Sequence, residues 1–171
     1  SSRARSGCTT TSKLSGGTGA ESNGDAPRTA GTKSNGIHQP PDLEEIDEMF
    51  REVLFAKIHG AAVTQCDPDY VGSITIDTEL LDATGLRVNE KVLVCDVDSG
   101  SRFETYVFKG EPGSGIIGIN GAAARLTAPG NTVLIMSFCH MTLEEMESHR
   151  PRVAIIGDGN TIDRMIEYDP A

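Results

Sequence analysis

The sequence has no apolar run long enough to cross a bilayer. Its longest candidate, around Val133–Phe138, falls far short of the roughly 20 residues a membrane helix needs. No apolar stretch follows the basic residues Arg3 and Arg5, so no secretory signal is read and the expected location is the cytoplasm. The four cysteines, Cys8, Cys66, Cys95 and Cys139, include no CxxC pair, which argues against a disulfide framework or a zinc knuckle. Cys139-His140 carries ligating chemistry, but neighbours on a strand point to opposite faces, so no metal site is expected. Positive charge is also scarce: 15 Lys/Arg stand against 25 Asp/Glu, a formal charge of -10. Residues 1–40 hold five of those cations and two acids, Glu21 and Asp25, so the rest of the chain carries the negative excess. An acidic body repels a polyphosphate backbone, which excludes nucleic acid as an expected partner. A site for an anionic substrate must then be built from a few local cations.

Composition divides the chain. Residues 1–41 are rich in Ser, Thr, Gly and Asn with almost no large apolar side chains, and are read as a disordered, low-complexity extension closed by Pro40-Pro41. The domain is expected over 42–171. An acidic stretch, Asp42–Met49, offers a helical turn or two. Thereafter period-two alternation predicts short strands: Arg51–His59, Ala61–Thr64, Gly72–Asp77, Lys91–Asp98, Arg102–Phe108, Gly115–Ile119, Thr132–Phe138 and Arg152–Ile156. Turn signals at Asp98-Ser99-Gly100, Pro112-Gly113, Pro129-Gly130-Asn131 and Asp158-Gly159-Asn160 separate them. Helix is limited to Glu79–Thr84, ended by Gly85, and to a segment opened by the capping box Thr142-x-x-Glu145. Many short strands with frequent turns predict a mainly β fold, a small barrel or sandwich.

Three constellations carry possible chemistry. Gly113-x-Gly115-x-x-Gly118 has the spacing of a dinucleotide fingerprint, but no amphipathic helix follows it; the reading is a glycine-bearing strand where backbones pass closely. Gly72-Ser73, after a turn at Asp67-Pro68-Asp69, has the right residues for a strained peptide in which a serine hydroxyl attacks the preceding carbonyl, although Gly-Ser pairs are common and strain has to be observed. Arg102-Phe103-Glu104-Thr105-Tyr106 places Arg102 and Tyr106 on one face of a strand, a carboxylate clamp beside a phenol proton donor. The bland alternative is an Arg–Glu pair on a solvated face. Lys57 and His59 form a similar same-side pair with the same alternative.

Together these pieces resemble one family, the pyruvoyl-dependent aspartate 1-decarboxylases, over approximately Met49–Ile156. The resemblance rests on Lys57-Ile58-His59, Tyr70-Val71-Gly72-Ser73-Ile74-Thr75-Ile76-Asp77, Arg102-Phe103-x-Thr105-Tyr106, Gly113-Ser114-Gly115 and Ile119-Asn120-Gly121-Ala122-Ala123-Ala124. It implies a six-stranded double-psi β-barrel with short helices, usually a homotetramer with active sites between subunits. It also implies a zymogen that cuts itself at Gly72-Ser73 into residues 1–72 and 73–171, Ser73 becoming a covalent pyruvoyl cofactor. A maturation factor is a further partner to test for.

The resemblance implies decarboxylation of L-aspartate to β-alanine and CO2, the supply of a pantothenate and coenzyme A precursor. A Schiff base between substrate and pyruvoyl ketone would spread the carbanion charge, the electron-sink role of pyridoxal phosphate. By the same resemblance Tyr106 is the proton donor, Thr105 contacts substrate, and the backbone of Gly121, Ala122 and Ala123 lines the pocket. Lys57 and Arg102 hold carboxylates, while His59 and Asn120 support processing. Strand alternation sets Thr105 and Tyr106 on opposite faces, so a bulge or a neighbouring subunit is needed to bring both to one site. The alternatives are an unprocessed, non-catalytic barrel that binds a small anion or partner, and a pyruvoyl decarboxylase for another amino acid. The extension before Met49, Gly60 and Arg125 depart from the family pattern; none of them touches Gly72-Ser73, Arg102 or Tyr106.

Overall fold

The computed structural model describes residues 49–168. The extension expected over 1–41 and nearly all of the acidic stretch before Met49 lie outside the described residues. Within them, nine strands form: β1 Arg51–Ala62, β2 Gln65–Asp67, β3 Ser73–Asp77, β4 Lys91–Asp96, β5 Arg102–Gly110, β6 Ile117–Asn120, β7 Thr132–Met141, β8 Arg152–Ile156 and β9 Ile162–Glu167. They are hydrogen-bonded in the order β2-β6-β3-β5-β4-β7-β1-β8-β9. The pairs β1–β8, β2–β6 and β3–β5 are parallel although none joins consecutive strands, so crossover connections thread the barrel. The architecture is mainly β, as the resemblance implies. Nine strands join the ladder where six were implied for the barrel itself.

The differences from the alternation pattern have local causes. Arg51–His59 and Ala61–Thr64 are not two strands: β1 runs on to Ala62 through a register shift between His59 and Ala61, with Gly60 at φ 84 absorbing the extra residue. β2 has three residues, too short to show a period, and β9 is largely exposed, so neither shows a run of buried side chains. β4 stops at Asp96 rather than Asp98, because the Asp96 carboxylate and carbonyl take the N–H groups of Ser99 (2.7 Å) and Gly100 (2.9 Å) and turn the chain. The two predicted helices form as α1, Thr78–Thr84, and α2, Leu143–Ser148. Gly85, at φ 80, closes α1 with its N–H on the Leu81 carbonyl; Thr142 and Glu145 make the reciprocal capping box of α2.

The core is aliphatic: Ile58, Ile74, Ile76, Val94, Val107, Ile117, Ile119 and Ile135 are fully enclosed. Past β1, Thr64 joins Ile117 of β6 by a backbone bond of 2.8 Å and by its hydroxyl, so the two sides of the strand order meet. Asn160, buried and at φ 59, reinforces that seam by bonding Ala62 through both amide atoms (2.8 Å each) and the Gly115 carbonyl (2.7 Å). The glycine run is only partly the strand expected over Gly115–Ile119: Gly113 and Gly115 lie in the turn before β6, Gly118 is on it, and the close passage of backbones is found at Gly115. Gly113 and Gly115 donate their N–H groups to the Asp77 carboxylate at 3.1 and 2.6 Å, and a Cβ on Gly115 would lie 2.3 Å from the Gly159 carbonyl oxygen. Burial pushes the Asp77 carboxyl up, but the N–H groups of Glu79, Gly115 and Gly113, with the Ser114 hydroxyl, outweigh it and hold the group below its ordinary range.

Asp96 is the second buried acid that organises turns. Burial raises its pKa, yet Thr127, the Asn131 amide and Ser99 outweigh that and set it at about 2. A carboxyl depressed in the folded state adds stability that is complete above its unfolded value near 4 and is lost as pH falls through the folded value. The contribution is on the order of 2 kcal/mol. The thermal midpoint is therefore expected to fall between pH 4 and pH 2, and Asp96→Asn should flatten that fall while lowering the midpoint at neutral pH. An unchanged acid limb in the Asn variant would remove Asp96 from this role.

Candidate active site

β3 begins at Ser73, directly after the bend at Gly72. The approach is fixed by the Asp67 carboxylate, which accepts the N–H groups of Asp69 (3.0 Å) and Tyr70 (3.2 Å) and closes the Asp67-Pro68-Asp69 turn. Ser73 is fully enclosed (0% exposed), and its hydroxyl oxygen accepts a 3.1 Å hydrogen bond from the Asn120 side-chain amide. Asn120 ends β6 and sits directly opposite Ser73 in the antiparallel pair. The chain then turns sharply into the 3-10 helix Gly121–Arg125, with Gly121 at φ 66. A Cβ on Gly121 would lie 2.7 Å from the Gly72 Cα, so only glycine lets the two backbones pass this closely. Gly72, Ser73, Asn120 and Gly121 thus form one compact unit; Ala122 and Ala123 continue from it, exposed and half-buried.

The neighbouring strand adds Tyr106. In the parallel pair β3–β5, Ile74 lies opposite Val107, which sets the preceding residues, Ser73 and Tyr106, at one level. Ile74 and Val107 both point into the core, so Ser73 and Tyr106 both point to the other face. The ring of Tyr106 packs edge-on against Phe108, centroids 5.5 Å apart at 81°, and remains 38% exposed. A row Asn120–Ser73–Tyr106–Lys91 therefore runs across four strands on one face. Thr105 lies on the opposite face with Phe103 and Val107, facing Val92. No register shift interrupts β5 against β3 or β4, so a bulge does not bring Thr105 and Tyr106 together.

The candidate carboxylate partners sit elsewhere. Arg102 shares the face of Tyr106 but starts β5, about 13 Å along the strand at 3.3 Å per residue, and its guanidinium donates to the Gly100 carbonyl at 3.0 Å. Lys57 and His59 lie on β1, which pairs with β7 and β8 and not with β3. An ion pair is made instead by Lys91 and Glu104 (3.0 Å), both well exposed. The adjoining cleft of about 300 Å³, lined by Glu52, Glu90 and Glu104 among others, excludes Ser73 and is too acidic to favour an anion. One chain thus brings Gly72, Ser73, Asn120, Gly121 and Tyr106 together; among the described residues no strand pairing or hydrogen bond ties Lys57 or His59 to them, and Arg102 lies at the far end of β5.

The family model described as aspartate decarboxylase matches residues 49–163. The chain belongs to the aspartate decarboxylase family. Among relatives named aspartate 1-decarboxylase, that of Caldicellulosiruptor bescii is 54% identical over 121 residues, covering 71% of this chain and 94% of the relative. Those of Neisseria meningitidis and Bacillus subtilis are 48% and 46% identical, covering 71% and 72% of this chain and 96% and 97% of theirs. A rationally designed protein, mkDPBB_sym1, overlaps 51% of this chain and 99% of its own at 22% identity with a TM-score of 0.37, which leaves the architecture to rest on the strand pairing itself. Within this family member, sequence reasoning missed one member of the Ser73 cluster. The Asn120 amide also bonds the Thr75 hydroxyl at 3.1 Å. The signal was present, since Thr75 lies two residues beyond Ser73 and therefore on the same face of the strand.

Proposed function

We propose that this protein decarboxylates L-aspartate to β-alanine and CO2 after cutting its own chain between Gly72 and Ser73. The observation that carries the reading is the Asn120 amide held on the buried Ser73 hydroxyl, where the Gly121 backbone presses against Gly72. A donor on Oγ favours the developing negative charge as the hydroxyl loses its proton, and enclosure keeps water from competing. The Oγ–C bond to Gly72 forms, the Gly72–Ser73 amide breaks, and the hydroxyl proton passes to the Ser73 nitrogen, giving an ester. Loss of the Ser73 Hα with cleavage of Cβ–Oγ frees Gly72 as a carboxylate. Water then replaces the Ser73 nitrogen, which leaves as ammonia, and a ketone remains at the former Cα. These residues fit the making of a pyruvoyl end on residues 73–171.

When formed, that group supplies an electron sink for the charge left on the substrate carbon after CO2 departs. The other residues bind, orient and move protons. Tyr106, level with Ser73 and open on that face, delivers a proton to the substrate carbon. The backbone of Gly121, Ala122 and Ala123 borders the reacting end. Lys57, Arg102 and Thr105, which no hydrogen bond links to Ser73 among the described residues, fit a homotetramer in which a neighbouring copy supplies the carboxylate-binding cations and Thr105. A cation–carboxylate pair near 4 Å at an effective dielectric near 20 is of order 4 kcal/mol before desolvation, enough to offset the more distant, screened acidic charge. Denaturing mass spectrometry of purified protein is the test: fragments meeting at Gly72/Ser73, in material that releases CO2 from aspartate, are expected. A single uncut chain that nevertheless makes β-alanine would defeat the mechanism. A panel of amino acids in the same assay should show preference for aspartate.

A further inference from the structure

Asn120 occupies the N-cap position of the 3-10 helix Gly121–Arg125, a position where asparagine ordinarily bonds the first free N–H groups. Here its side chain makes no cap hydrogen bond. It reaches across to β3 and uses its amide nitrogen twice, on Ser73 Oγ and on Thr75 Oγ1, both at 3.1 Å. The amide nitrogen carries two hydrogens, and one goes to each hydroxyl. Rotation of an asparagine amide about its last torsion is broad, so a single bond to Ser73 would leave the group free to swing. A second bond to a β-branched residue, itself stiff about χ1, fixes the amide plane. Ser73 and Asn120 are buried and Thr75 half-buried, so solvent is a poor substitute for the second acceptor.

We propose that Thr75 is a positioning residue for self-cleavage: its hydroxyl holds the Asn120 amide in the orientation that meets Ser73 Oγ at attack on the Gly72 carbonyl. This rests on the self-cleavage reading above. The experiment follows the appearance of residues 73–171 by denaturing mass spectrometry from freshly made full-length chain, in the parent and in Thr75→Val, Thr75→Ala and Thr75→Ser. Loss of the hydroxyl is expected to slow cleavage about tenfold, the rate equivalent of one hydrogen bond, in both the Val and the Ala variant. Thr75→Ser, which keeps the acceptor, should return the rate close to that of the parent. Thermal midpoints measured with Ser73→Ala in each chain, so that every sample stays uncut, separate slow cleavage from poor folding.

Cleavage of Thr75→Val and Thr75→Ala at the parental rate overturns the role of Thr75 and leaves the self-cleavage reading intact. A Ser variant as slow as the Val variant also overturns it, because bulk rather than the hydroxyl would then matter. A parent chain that stays uncut overturns the cleavage reading, and the role of Thr75 with it.

Discussion

Ser73→Ala is expected to give a folded, uncut chain that makes no β-alanine at all. The loss is complete rather than graded because the proposed reaction consumes the hydroxyl oxygen. In that reaction it forms the ester bond and then leaves Cβ with Gly72, and only this elimination opens the neighbouring Cα to become the ketone carbon. No neighbour replaces it: Thr75 is the next hydroxyl on that face, and it sits two residues from the scissile bond. The cost to the fold is small by comparison. Ser73 gives up one accepted hydrogen bond from Asn120, worth about 1 kcal/mol, and the smaller alanine fits the same enclosed position. The measurement is a pair: denaturing mass spectrometry for the fragment 73–171, and CO2 release from aspartate. Cleavage persisting in the Ala variant would remove Ser73 as nucleophile, and β-alanine formation persisting in an uncut variant would remove the pyruvoyl group from the reaction.

The fold was largely legible where burial alternates. β4 and β7 face the core with every second residue, so their identity was plain, and both helices carried their own stop and start signals in Gly85 and Thr142-x-x-Glu145. What escaped were features set by partners distant in sequence. β2 exists because Cys66 pairs with Ile119, and β9 because it lies along β8; neither has a pattern of its own. The continuity of β1 through Gly60 depends on β7, which supplies matching partners on both sides of the shift. In the site, the strand period correctly separated Thr105 from Tyr106. It could not set Tyr106 level with Ser73, which takes the parallel β3–β5 register. Nor does any local rule announce that Asn120 would leave its helix cap to hold two hydroxyls on another strand.

Tyr106→Phe should separate the two reactions that Ser73→Ala is expected to abolish together. The variant is expected to cut itself at Gly72/Ser73 and yet turn over aspartate 10²–10⁴-fold more slowly, the range usually lost with a general acid. Geometry supports the split. Tyr106 is one strand away from Ser73, its ring held edge-on by Phe108, and no hydrogen bond ties it to Ser73 or Asn120 among the described residues. The Ser73 hydroxyl is engaged by Asn120, so cleavage has its donor without the phenol. Phenylalanine keeps the aromatic contact and removes only the O–H, which confines the change to proton delivery. Fragment yield by denaturing mass spectrometry, followed by CO2 release normalised to the cut chain, reads both halves. Turnover per cut chain equal to the parent would take the proton-donor role from Tyr106; loss of cleavage as well would mean that the phenol already acts on Ser73 before any substrate binds.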